Sequence, residues 1–381
     1  MRRRDFFRLT AAATGLAVGT SPWRRALADT ARGGRSPYGE LLPPDADGLQ
    51  LPKGFRCRVV ARSGARVGNT KYVWPVYPDG GATFRVPDGW IYVANSEWVP
   101  PSGGGVGAIR FDRSGNIAAA YPICTGTLLN CAGGATPWDT WLTCEEYAYG
   151  HVWECDPSGV RPAVKRPALG TFQHEAVAVD PVGRALYLTE DVPDGRFYRF
   201  TPRKWPSLEA GTLEVAQVRA DSSVTWHPIK YPNPGMQHDA TRHQVPQSTE
   251  FRGGEGIVYS RGDLFFTTKK DDRVWRYEPK AQRCTILYEN AQDPAKQLSG
   301  VDNVTAAVVG DLIVAEDGGN MELVLITPDG ATSALLRIVG QDESELAGPA
   351  FDPSGTRLYF SSQRGDGSGI TYEMSGPFRR A

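Results

Sequence analysis

Residues 174–191 read H-E-A-V-A-V-D-P-V-G-R-A-L-Y-L-T-E-D, and residues 347–363 read A-G-P-A-F-D-P-S-G-T-R-L-Y-F-S-S-Q. Each sets a small-residue apolar run before a D-P-x-G turn and a second apolar run after it, which is the pattern of two short strands joined by a tight turn. F-Y-R-F at 197–200 adds a third strand to the first copy. Segments beginning at Asp79, Asn130, Glu175, Glu255, Asp302 and Glu345 share this plan, at spacings of 51, 45, 80, 47 and 43 residues. A period in the forties built from short strands predicts propeller blades, because one such sheet cannot bury both faces alone and must stack on its neighbours. The expectation is an all-β fold, a single six-bladed β-propeller over residues 51–381. The 80-residue interval predicts an insertion at about 204–250, with W-H-P-I-K-Y-P-N-P-G (226–235) as a fourth strand leading into a long surface loop. F-R-C-R-V-V-A at 55–61 stands alone before the first unit. It is expected to pair into the short last blade and close the ring, which removes sheet edges. Residues 29–50 read as a linker.

The 381 residues carry 42 Lys and Arg against 43 Asp and Glu, a formal net charge of −1. That balance excludes the basic field of a nucleic-acid binder. With 10 Trp, 15 Tyr and 14 Phe the chain has ample material for a packed core. The N-terminus opens M-R-R-R-D-F-F-R, continues through a short apolar run from Leu9 to Gly19, and reaches A-L-A at 26–28. Basic, apolar and small-residue regions in that order predict an export leader over residues 1–28 rather than a stable membrane anchor, since the run is too short to span a bilayer. The Arg3-Arg4 pair marks it for the twin-arginine export machinery, which moves folded proteins, so the expected location is periplasmic or secreted. Loss of residues 1–28 removes six arginines and one aspartate and leaves a formal charge of −6. Six cysteines (Cys57, Cys124, Cys131, Cys144, Cys155, Cys284) could form up to three disulfides in an exported chain, with connectivity open.

In a propeller the start of each inner strand and the end of each second strand meet at one face of the disc. The inner-strand starts carry Asp79, Asn130, His174 and Glu175, Glu255, Asp302 and Asn303, and Glu345. The second-strand ends carry Asn95 and Glu97, Cys144 to Glu146, Glu190 and Asp191, Lys269 to Asp272, and Glu316 and Asp317. In any one loop such carboxylates commonly cap turns. Recurring in five of six units, they aim a dozen anions at one mouth, and like charges that close raise one another's pKa unless cations intervene. Oxygen donors suit Ca²⁺, Mg²⁺ or Mn²⁺, whereas a thiolate such as Cys144 favours a transition metal. His174 reads as a hydrogen-bonded strand residue; His227, His238 and His243 read as surface residues.

N-C-A-G-G-A-T-P-W-D-T-W-L-T-C-E-E at 130–146 resembles the most distinctive segment of the PhoX-type alkaline phosphatase family. H-E-A-V-A-V-D (174–180), L-T-E-D (188–191), G-G-E-G (253–256), V-D-N-V (301–304), A-E-D-G-G (315–319) and S-E-L-A-G-P (344–349) follow in family order. The resemblance implies a six-bladed propeller whose mouth holds a mixed Fe³⁺ and Ca²⁺ cluster and hydrolyses small-molecule phosphate esters. It implies Cys144 as the thiolate on iron, with Glu175 and Glu316 among its neighbours. Glu145, Glu146, Glu255, Asp302 and Glu345 would give oxygens to iron or calcium. Lys269 or Lys270 would meet the phosphate, with Asn95 and Asn303 as further catalytic candidates. The chain departs from the family at N-S-E (95–97), where N-H-E is usual, and at Val314, where an arginine to clamp phosphate would be sought.

The resulting expectation is a monomeric, metal-assisted phosphomonoesterase. The alternatives are a calcium-dependent lactonase-like propeller, which needs only three or four ligands for one ion, and a non-catalytic exported binding propeller braced by metal.

Overall fold

The computed structural model describes Trp23, residues 30–99 and residues 103–380. The expected leader, residues 1–28, lies outside the described residues apart from Trp23. The described chain forms six sheets arranged as blades, each built on consecutive antiparallel strands. From the inner strand outward, blade 1 is Pro78–Val86, Gly89–Ser96, Gly104–Asp112 and Ile117–Thr127. Blade 2 is Asn130–Ala135, Trp141–Glu145, Val152–Cys155 and Val164–Lys165. Blade 3 has five strands, His174–Asp180, Ala185–Glu190, Phe197–Lys204, Ser207–Val218 and Val224–Pro228. Blade 4 is Gly254–Ser260, Asp263–Thr268, Arg273–Glu278 and Arg283–Glu289, and blade 5 is Val301–Ala306, Leu312–Glu316, Glu322–Ile326 and Ala331–Ile338. Blade 6 is Leu346–Phe351, Arg357–Ser362 and Ile370–Ser375, completed by the early strand Arg56–Arg62.

That early strand pairs antiparallel with Ile370–Ser375, from Arg62 opposite Ile370 to Arg56 opposite Ser375, and so closes the ring as the sequence predicts. Two expectations need correcting. Val224–Pro228, containing the W-H-P stretch, is the fifth strand of blade 3, because Ser207–Val218 already fills the fourth place. The presumed linker is tied down: Arg32–Gly33 runs parallel to Ala331–Thr332, and Leu49–Gln50 pairs with Ile338 and Arg337 at the edge of blade 5. Ala31 and Leu49 are buried there, so even this polar stretch supplies enough apolar surface to dock. Among the described residues no helix is long and apolar enough to cross a membrane.

The D-P-x-G turns owe their shape to the aspartate. Asp180 Oδ1 accepts the N–H groups of Val182 and Gly183, and Asp352 Oδ1 accepts those of Thr356 and Arg357. The core is divided into six apolar clusters, one for each interface between neighbouring blades. Middle strands are covered on both faces, which is why they read as continuous apolar runs rather than alternating ones.

Every inner strand carries a register shift near the mouth: between Pro78 and Gly81, Asn130 and Gly133, His174 and Val177, Gly254 and Ile257, Val301 and Val304, and Ala347 and Ala350. A bulge re-aims the side chains it contains, and in five blades these include Asp79, Cys131, Glu175, Glu255 and Asp302. One backbone bond recurs six times to fix the rim. The N–H of Glu97, Glu146, Asp191, Lys269, Asp317 and Gln363 donates to the carbonyl of Tyr77, Leu129, Gln173, Gly253, Gly300 and Glu345 respectively.

Candidate metal centre

These two repeated features make two rings of side chains at one mouth. The inner ring is Asp79, Cys131, Glu175, Glu255 and Asp302, with apolar Ala347 in the sixth place; the outer ring is Glu97, Glu146, Asp191, Lys269, Asp317 and Gln363. Side chains from both rings, with Glu345, fall into four clusters. Each offers three ligand atoms within 4.8 Å of one another: Asp79, Glu97 and Cys131; Cys131, Glu146 and Glu175; Glu175, Glu255 and Asp302; and Asp302, Asp317 and Glu345. Consecutive clusters share Cys131, Glu175 and Asp302, so the four form one chain around the opening.

The electrostatics are those of a site built for cations. Glu175 is fully buried and neither carboxylate oxygen has a hydrogen-bond partner among the described residues. A buried anion without a partner costs several kcal/mol, on the order of the penalty for stripping an ion of water. Burial, then Glu255, Glu146, Asp302 and Asp79, drive its carboxyl far above the ordinary range. Burial, then Asp191 and Glu97, push Glu146 up to about 8, and burial raises Asp302 to about 7 against the opposing pull of Lys269. Asp79, Glu255 and Glu345 are likewise raised, first by burial. Burial and then the surrounding carboxylates raise the Cys131 thiol as well. Only positive charge would let these groups ionise together, and the donor set fits metal ions: one thiolate among carboxylates, with the carboxylate-only clusters on the far side.

The structure redistributes the residues expected from sequence. Glu146, Glu175, Glu255, Asp302 and Glu345 all stand in the clusters. Cys144 does not: it is fully buried in the apolar cluster between blades 2 and 3, with Leu142, Val152, Val177 and Leu188. The thiol at the mouth is Cys131. Taking Asn130 as the start of the repeat is one residue out of register, and a one-residue slip turns every side chain of a strand to the other side. Aligning Cys131 with Asp79, Glu175, Glu255 and Asp302 would have found it. Asn130 instead joins Thr127, at the end of blade 1, to Thr143 of blade 2.

Glu145 and Glu316 also leave the ligand set. Glu145 Oε1 accepts Leu128 N–H, and its Oε2 accepts His151 N–H and the Trp153 indole N–H. Glu316 accepts the N–H groups of Ser299 and Glu322, one on each oxygen. Each ends a second strand, and Glu190 of blade 3 does the same with Arg196 N–H and the Tyr198 hydroxyl. These three glutamates clamp loops, while the next residue along the chain points into the mouth. His174 is a buried strand residue whose Nε2 meets Gly170 O at 3.1 Å, and burial depresses its pKa to about 3.

Asn95 and Asn303 position ligands rather than face the opening. Asn95 Nδ2 donates to the carbonyls of Cys131 and Ala132 at 3.0 and 2.7 Å, while its Oδ1 accepts from Trp141 and Thr143. Thr189 and Thr267 repeat the device, donating to the carbonyls of Glu255 and Asp302 on the next blade. Asn303 Nδ2 donates to Asp302 Oδ1, and its Oδ1 accepts Gly348 N–H.

Two cations stand at this anionic rim. Lys269 Nζ lies 3.0 Å from Glu255 Oε1 and 3.1 Å from Asp317 Oδ2; its pKa is raised by these carboxylates against the cost of burial. Lys270, next along the chain, is exposed. Arg364, which the sequence reading passed over, places Nη1 2.9 Å from Glu345 Oε2. Val314 is buried in the apolar cluster between blades 4 and 5, away from the rim.

The fold has solved counterparts. PhoX of Pseudomonas fluorescens, in complex with vanadate, superimposes with a TM-score of 0.72 over 88% of this chain and 97% of that one, at 17% identity. A gluconolactonase from Xanthomonas campestris, XC5397, gives a TM-score of 0.51 over 90% and 99%, at 13% identity. The pyranose dehydrogenase PQQ domain of Coprinopsis cinerea also gives 0.51, over 87% and 98%, at 14% identity. At such identities these likenesses speak for the propeller alone. No curated protein sequence matches the chain. The family model described as alkaline phosphatase PhoX matches residues 106–149 and 147–366, well over half of the sequence and most of the residues that build the mouth, so the chain belongs to the PhoX alkaline phosphatase family.

Proposed function

We propose that the protein hydrolyses phosphate monoesters at the propeller mouth with the aid of iron and calcium ions. The observation that carries the reading is the chain of four clusters joined through Cys131, Glu175 and Asp302, with a fully buried carboxylate that none of the described residues satisfies. Cys131, Glu146 and Glu175, with Asp79 and Glu97, would hold the thiolate-preferring iron; Glu255, Asp302, Asp317 and Glu345 would hold calcium. When bound, such ions supply Lewis acidity to phosphoryl oxygens and cancel the charge that would otherwise repel a phosphate dianion.

The protein's own part is positioning. Asn95, Thr189 and Thr267 hold the backbone of three ligand residues from the preceding blade, and Asn303 orients the Asp302 carboxylate. Lys269 keeps a positive charge beside Glu255 and Asp317, where a substrate phosphate oxygen can be met. A lactonase reading, with one ion, leaves Cys131 and most of the carboxylates without a role. The basic leader supports export of the folded chain by the twin-arginine route, so that metal loading would precede or accompany export.

Elemental analysis of protein purified from its exporting host, paired with a chromogenic phosphomonoester assay, tests the reading. Stoichiometric iron with calcium, and activity lost on chelation, is the expected result. Full activity in protein shown to be free of metal would refute it.

A further inference from the structure

Blade 6 breaks the symmetry of the mouth. Its inner-ring position is Ala347 and its outer-ring position is Gln363, so neither ring receives a carboxylate from this blade. Gln363 Nε2 instead donates to Asp79 Oδ2 at 2.5 Å and Glu97 Oε2 at 2.9 Å. The next residue is Arg364. Its backbone is held firmly: Arg364 N–H donates to Ser344 Oγ at 2.8 Å, and that hydroxyl is bonded to Ser362 Oγ. Its side chain is not. It is 43% exposed and makes one ion pair among the described residues, to Glu345.

Arg276 shows what a purely structural arginine looks like here. It is 1% exposed and directs two nitrogens at Asp263, at 3.0 and 2.7 Å, with Glu278 beside them. Arg364 leaves most of its five donors unused at the edge of the acidic opening, beside Glu345 and within the field of Glu97 and Asp317. Its carboxylate partner Glu345 also belongs to a cluster with Asp302 and Asp317. A cation held by those three groups would take over the charge that Arg364 balances and leave its guanidinium fork for another oxyanion.

We infer that Arg364 is a substrate-binding residue, whose guanidinium grips two oxygens of the terminal phosphate of a monoester at the mouth. The inference rests on the phosphomonoesterase reading and extends it to a residue. A planar fork matches two phosphate oxygens in a way an ammonium cannot.

The test compares metal-replete wild type with Arg364→Ala, Arg364→Gln and Arg364→Lys. Steady-state kinetics on a phosphomonoester, the Kd of inorganic phosphate by calorimetry, and metal content are measured on each. Expected for Arg364→Ala and Arg364→Gln is a rise of about 10- to 100-fold in both KM and phosphate Kd, with metal content unchanged. Arg364→Lys should recover part of the affinity but not all. KM and phosphate Kd within about twofold of wild type in a folded, metal-replete Ala or Gln variant would overturn the inference. So would loss of metal as the primary defect, which would make Arg364 a brace for Glu345. Wild type that binds phosphate through Arg364 yet turns over no monoester would instead count against the proposed function alone.

Discussion

At the scale of single residues, the chemistry of the mouth turns on which of two cysteines 13 residues apart faces it. Cys131 shares clusters with Asp79, Glu97, Glu146 and Glu175, while Cys144 is walled in by aliphatic side chains. Cys131→Ser should therefore lose iron and reduce kcat/KM by at least about 100-fold, the scale on which disturbing metal ligation acts. Cys144→Ser should retain the metal and cost about 1–3 kcal/mol of stability, because it puts a hydroxyl into an apolar core. Metal analysis and thermal unfolding of both variants check the pair, and iron lost from the Cys144 variant alone would reverse the assignment. Glu145 and Glu175 offer the same contrast. Glu145→Gln weakens a loop clamp, whereas Glu175→Gln removes a carboxylate that two clusters share and that has no hydrogen-bond partner among the described residues.

At the scale of strands and blades, close approach sets the limits. A Cβ on Gly256 would stand 2.6 Å from Asn303 Cα, and one on Gly80 2.5 Å from Ala132 Cα, so neighbouring inner strands pass backbone to backbone just behind the ligand residues. Gly256→Ala should destabilise the fold by roughly 1–3 kcal/mol and shift Asn303, which orients Asp302. Differential scanning calorimetry and metal affinity measure the two effects. Between blades 1 and 2, the buried Cys124 and Cys155 thiols lie within hydrogen-bonding reach of each other, while Cys131, Cys144 and Cys284 sit apart from that pair. After exposure to a disulfide oxidant, alkylation of the denatured protein should find four free thiols rather than six; six would show that the pair stays reduced. Trp23 bears on the leader. Its indole lies 5.2 Å from the Phe265 ring and its carbonyl accepts from Arg276. Cleavage after Ala28 would remove that contact, so a chain starting at residue 29 should melt below one that retains Trp23.

At the scale of the whole molecule, the ring concentrates charge that composition hides. The raised carboxyls mean that metal-free folded protein binds more protons than the unfolded chain between their ordinary range and about pH 8. Stability of the metal-free form must then fall as pH rises through that window. Protein stripped of metal should lose several degrees of Tm between pH 5 and pH 8, and metal-replete protein should not. A flat or rising Tm in the stripped protein would contradict the burial of these groups.

The sequence by itself determined the number of blades, the closing strand and the crowd of carboxylates at one face. Those follow from the repeat period and the turn chemistry, both of which are written along the chain. It did not determine which neighbour in Glu145–Glu146 or Glu316–Asp317 faces the mouth. Nor did it separate Cys131 from Cys144, because anchoring the second unit on Asn130 turns Cys131 to the other side of the strand, and the strand pairing is what sets it level with Asp79, Glu175, Glu255 and Asp302. Arg364 was invisible for a related reason. Its ion pair with Glu345 forms across the first hairpin of blade 6, and only the closed ring sets that hairpin against Asp79 and Glu97 of blade 1.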